Sequence, residues 1–161
     1  MSAIGSYEVL SRAAFDDCLE AARGVRPETT GTSIFKKTEV KALDAFQARW
    51  QSSVIERVDF EYSGYVLGNY LDAQHEINQL RLFDEESEEA TTLGKVFTAA
   101  FVFHRAVALP EIPVDKLEAF CRHEYDTDSA DLLEPLRAAH EFYARGLEAI
   151  TPDNLVVFVI R

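Results

Sequence analysis

The run LVVFVI (155–160) consists of six consecutive apolar residues, four of them β-branched. It is short for a helix and right for a strand, and the turn TPDN (151–154) sets it off from the preceding segment. Near the other end, SYEVL (6–10) reads as a second short strand. Between these two strands the hydrophobic pattern is mostly helical. The expected class is therefore α+β, with a mainly helical middle packed on a small sheet that includes the N- and C-terminal strands.

Working inward from the first strand, Ser11 offers an N-cap, and RAAFDDCLEAAR (12–23) places Phe15, Leu19 and Ala22 on one stripe before Gly24 stops the helix. GVRPETTGTS (24–33) has loop composition. Thr38 is the expected cap of a second helix, with Val40, Leu43, Phe46 and Trp50 at helical spacing. VIERVDFEYSGY (54–65) changes period: Val58, Phe60 and Tyr62 alternate with Asp59, Glu61 and Ser63, the pattern of a half-exposed strand. After Gly64 the helical spacing returns on Val66, Tyr70, Ala73 and Ile77.

The segment RLFDEESEEATTLGKVFTAAFVFHR (81–105) opens on acids and then turns apolar. Leu93, Val96, Phe97, Ala100, Phe101 and His104 recur every three to four residues, which predicts a long buried helix from about Ser87. The β-branched and aromatic residues of VFTAAFVF (96–103) leave a buried strand open as the alternative. Pro110 and Pro113 bracket a break, VDKLEAFCRHEY (114–125) reads as a short helix, and Leu136, Ala139, Tyr143 and Leu147 form the stripe of the last one. There are no internal repeats, low-complexity tracts or linkers, so residues 1–161 are expected to form one domain.

The chain carries 28 acidic and 16 basic side chains for a formal charge of −12, with 47% hydrophobic residues. That composition is globular rather than disordered. The negative field disfavours nucleic-acid phosphates and anionic membranes, and it suits a basic protein partner. The longest strongly apolar run, Val96 to Phe103, is far too short to span a bilayer. The start MSAIGSYEVL lacks the cationic and apolar regions of a signal peptide. Cys18 and Cys121 lie among apolar neighbours and read as buried free thiols, so a reducing cytoplasm is the expected location.

No motif announces a chemistry. His75, His123 and His140 each precede a glutamate, yet Gln79, Thr127 and Ala144 occupy the places where HExxH needs its second histidine. His104 reads as a hydrogen-bonded core residue. Asp126, Asp128 and Asp131 fail the calcium-loop pattern, because Ala130, Asp131 and Arg137 stand where an oxygen ligand, a glycine and a glutamate are needed. GxSxG, P-loop and GxGxxG motifs are absent. No catalytic residue, metal ligand or cofactor is therefore assigned.

The block Asp84, Glu85, Glu86, Glu88 and Glu89 exceeds what a helix start requires, since one or two acids complement the dipole and five repel one another, so the excess serves either solubility or recognition of cations. These five are the first candidates for a partner-binding surface, and Asp59, Glu61, Asp126 and Asp128 are the second. Tyr62 and Tyr65 are candidate aromatic anchors for it.

MSAIGSYEVLSRAAFDDCLEAA (1–22) resembles the start of the YfbM-like small bacterial proteins, with its Met-x-x-Ile-Gly opening, first strand and capped helix. LRAAHEFYARGLEAITPDNLVVFVIR (136–161) resembles their closing helix and strand. The middle, Gly31 to Tyr125, departs from that family's pattern, notably from its Asp-x-x-Lys-x-Trp-like segment. The family's resemblance implies a cytoplasmic bacterial α+β protein and transfers no site residue. At class level the small, acidic, motif-poor chain is similar to the immunity proteins that accompany polymorphic toxins. The expected function is thus an immunity or inhibitor protein that binds and neutralises a cognate basic toxin or enzyme through an acidic surface. The alternative is a hydrolase or transferase whose site assembles from dispersed histidines and carboxylates.

Overall fold

The computed structural model describes residues 4–24, 33–60, 65–73, 82–83, 93–105, 109, 114–125 and 133–161. The closing run forms the strand β4 (Asn154–Ile160), and it lies beside the opening strand β1 (Gly5–Ser11) at the centre of a four-stranded sheet. The outer strands are β2 (Val54–Phe60) against β1 and β3 (Ala99–Phe103) against β4, giving the order β2-β1-β4-β3. All three pairings are antiparallel. A bulge between Val9 and Leu10 leaves Ile55 as the extra residue on β2.

The sheet is covered on both faces, which explains why β1, β3 and β4 do not alternate. On one face Tyr7, Val9, Ala99, Phe101, Phe103, Val156, Phe158 and Ile160 meet Leu67, Tyr70 and Leu71 of α3 (Tyr65–Ala73), Leu117 and Cys121 of α4 (Val114–Tyr125), and α5 (Leu133–Leu147). The predicted stripe of α5, namely Leu136, Ala139, Tyr143 and Leu147, is buried there as a unit. On the other face Leu10, Ala100, Val102, Leu155, Val157 and Val159 meet Phe15, Cys18 and Ala22 of α1 (Arg12–Gly24), Phe46 and Trp50 of α2 (Ser33–Ser53), and Leu93 and Phe97. The protein is α+β, with both terminal strands in one sheet.

Aromatic rings fill the first core at close range. Tyr143 stacks on Phe158 with ring centroids 3.8 Å apart and planes 7° from parallel. That approach brings α5 down on the sheet at Gly146, where an added Cβ would sit 2.6 Å from Phe158 Cζ. Glycine is needed at this position because the ring occupies the space of a side chain.

Local signals behave as their chemistry demands. The Ser11 hydroxyl accepts from the Ala14 amide at 3.2 Å and caps α1. Arg12 then ties the helix start to the loop ahead of β4, donating through Nε to the Pro152 carbonyl at 2.9 Å and through Nη2 to the Thr151 and His104 carbonyls. Trp50 is 1% exposed, as expected of a core anchor. Cys18 and Cys121 are buried free thiols, and burial pushes both thiol pKa values up.

Three expectations are corrected. The predicted long helix through 104 does not form: helical geometry at 93–96 closes with the Phe97 amide on the Leu93 carbonyl, and Ala99–Phe103 is a strand. A strand buried on both faces is apolar at every position, so any helical spacing can be picked out of it. His104 consequently stands at the strand's end, exposed, with its ring edge-on to Phe15 at 6.1 Å between centroids. Partial desolvation and then the nearby Arg12 charge lower its pKa. Finally, α2 starts at Ser33, so Thr38 lies inside the helix rather than capping it.

Candidate interaction site

Glu8 lies near the middle of β1, on the face covered by α1 and α2, and is only 1% exposed. A carboxylate so placed needs its oxygens occupied. Trp50 Nε1 donates to Glu8 Oε2 at 2.6 Å. Arg161, just beyond β4, brings Nη2 to 2.8 Å from Glu8 Oε1, and its Nη1 donates to the buried Ser6 hydroxyl at 3.3 Å. The same guanidinium lies over the Phe97 ring, 5.0 Å from its centroid. Indole and guanidinium thus hold one carboxylate oxygen each, which fixes α2 and both central strands to a common point.

Arg57 carries this buried network to the surface. Its Nε is 3.9 Å from Glu8 Oε1 and 2.7 Å from Asp59 Oδ1, and Asp59 is exposed. Strand register requires the contact, since Glu8 pairs with Arg57 and Ser6 with Asp59, placing all four side chains on one face. The group thus links a buried carboxylate to the protein surface.

The backbone of β2 adds a second feature. Ile4 and Arg161 exchange both amide bonds at 3.1 Å, so Ile4, Ser6 and Glu8 turn their backbone groups toward β4. Gly5, Tyr7 and Val9 therefore turn toward β2 and engage Phe60, Val58 and Glu56. The N–H and C=O of Arg57 and Asp59 point outward, and among the described residues no group takes them. The opposite edge differs: the Leu82 amide donates to the Ala100 carbonyl of β3 at 2.9 Å. On β2, Ile55 is 62% exposed and Glu56 and Arg57 are exposed beside it.

Of the acids expected to bind a partner, Asp59 is placed, on this strand. Asp84, Glu85, Glu86, Glu88, Glu89, Glu61, Asp126 and Asp128 lie outside the described residues, as do Tyr62 and His75. Tyr65 opens α3, with its side chain outside the described ones. His104, His123 and His140 are on β3's end, α4 and α5 respectively; His123 is exposed and takes part in a 2.8 Å contact with Glu124, and His140 Nε2 is buried without a hydrogen-bond partner among the described residues. Among the described residues no group of three or more His, Cys, Asp or Glu side chains is placed to hold a metal ion, and no helix is long and apolar enough to cross a membrane.

Reading by residue type missed Glu8 and Arg161. In SYEVL the glutamate looks like the solvent side of an alternating strand, and only the covering helices make it internal. One signal was present: a buried Trp50 requires an acceptor for its indole N–H. No protein-family model, no curated protein and no solved structure matches the chain.

Proposed function

We propose that this chain is a cytoplasmic bacterial immunity or inhibitor protein that binds and neutralises a basic toxin or enzyme through an acidic surface. The observation that carries the reading is where the charge falls. Exposed acids and bases nearly balance among the described side chains, for example Asp16, Asp17, Asp115 and Glu141 against Arg23, Arg49, Lys116 and Arg137. Most of the −12 is therefore supplied by other stretches, and 84–92 together with 126–132 hold eight acids and no base. A solubilising coat would spread its charge, whereas a concentrated one steers a basic partner and raises its association rate. The two buried free thiols suit a reducing compartment.

A pull-down from native host lysate at low and moderate salt tests the reading, using wild type and a variant with Asp84, Glu85, Glu86, Glu88 and Glu89 changed to Ser or Gln. Recovery of one basic protein by wild type alone is expected. Equal recovery by a folded variant assigns recognition to another surface, and no recovery by either overturns the proposal.

A further inference from the structure

We propose that this chain self-associates by pairing the free edges of two β2 strands across a two-fold axis, so that the sheet of one copy continues into the other. The observations behind this inference are those of β2 alone, and it stands independently of the function proposed above.

The first observation is the outer edge of β2, which no other strand pairs with among the described residues. The N–H and C=O groups of Arg57 and Asp59 face outward, and an edge in this state is a template for another strand unless something shields it. Charged side chains usually provide that shielding. On β2 they alternate in sign, and the alternation makes the edge complementary to itself.

Register identifies the occupant. Two antiparallel strands related by an axis normal to the sheet keep the same faces aligned, so a residue can oppose only residues of its own parity. Centring the pair on Arg57 opposes two arginines, and centring it on Asp59 opposes two aspartates. Centring it on Val58 opposes Arg57 of each copy to Asp59 of the other. Those two residues are also the ones whose backbone groups face outward, so they form the hydrogen-bonded pairs of the new ladder. Each copy already holds Arg57 Nε 2.7 Å from Asp59 Oδ1, and the four side chains then alternate around the axis. The two Val58 side chains meet on the opposite face, beside the partly buried apolar surface they share with Phe60.

The overall charge of −12 on each copy opposes association at long range. That repulsion is largely screened beyond roughly 8 Å at physiological ionic strength. Pairing is therefore expected to strengthen from low to physiological salt.

Sedimentation equilibrium of the full chain, over a concentration series up to its solubility limit, is the test. Two variants accompany wild type. Asp59→Pro removes an outward N–H that the β1 ladder does not use, a position where an edge strand tolerates proline. Val58→Cys places two thiols across the axis, where a non-hydrogen-bonded antiparallel pair has Cα atoms about 4.5 Å apart and can be bridged. The native Cys18 and Cys121 are buried and do not compete.

Wild type is expected to show a monomer–dimer equilibrium, weakened about tenfold or more by Asp59→Pro. Val58→Cys is expected to become a covalent dimer on mild oxidation. A wild type that stays monomeric throughout overturns the proposal. So does a dimer that Val58→Cys fails to trap, because that dimer uses another surface. The trapping result decides the matter even if Asp59→Pro proves unable to fold.

Discussion

Trp50→Phe should be among the most damaging single changes to the fold. It keeps a ring in the core while removing the N–H that donates to Glu8 Oε2 at 2.6 Å. Glu8 is 1% exposed, so water cannot replace the lost donor. A hydrogen bond to a buried charged group contributes about 1.5–3 kcal/mol. The smaller ring also gives up contact with Phe15, Phe46 and Phe97, whose centroids lie 5.0–6.2 Å from the indole, for a further ~1–2 kcal/mol. The expected loss is about 2.5–5 kcal/mol in urea denaturation, seen as a lower midpoint at unchanged slope.

Glu8→Leu should also destabilise, because it leaves the indole N–H buried and unsatisfied. The double variant tests the mechanism. With carboxylate and indole donor removed together, neither is left without the other; Arg161 loses its carboxylate equally in Glu8→Leu and in the double variant, so the double loss should fall short of the summed single losses by at least about 1.5 kcal/mol. Additive effects, or a Trp50→Phe loss below about 1 kcal/mol, would refute the claim that this bond anchors α2 to the sheet.

Two other perturbations have defined signs. Gly146→Ala sets a methyl 2.6 Å from the Phe158 ring, and an overpacking cost of about 1–3 kcal/mol should outweigh the ~1 kcal/mol gain in helix propensity, lowering the thermal midpoint. Alkaline pH should destabilise the protein from about pH 9, the ordinary value for a thiol, because burial raises the pKa of Cys18 and Cys121 and, near pH 10, of Tyr143 and Tyr7. The unfolded chain releases these protons first, so their contribution is complete below the unfolded pKa and is lost as pH rises, at up to about 1.4 kcal/mol per pH unit for each group. Urea midpoints measured across that range check this, and Cys121→Ala should flatten the decline.

What the sequence disclosed follows from how much of each pattern is local. The closing strand, the α5 stripe and the Ser11 cap depend on neighbours a few residues away, and each appears where its spacing puts it. Ala99–Phe103 could not be separated from a helix, because its apolar character comes from two layers of helices that no short window contains. Glu8 gave no signal of its own for a related reason. A polar residue in an alternating strand signals solvent only when one face is open, and here α2 closes it. Of the expected recognition surface, Asp59 alone falls on a described side chain. Its significance came from the strand register and from Arg57, neither of which residue type alone reveals.

Recognition of a basic partner by concentrated negative charge makes the salt dependence of binding the decisive measurement. The association rate constant of the chain with the protein it captures should be measured from low to moderate ionic strength. A steep fall in that rate with little change in dissociation is expected, as for electrostatically steered encounter. An association rate indifferent to salt, in wild type and in the variant neutralised at 84–89 alike, would contradict it.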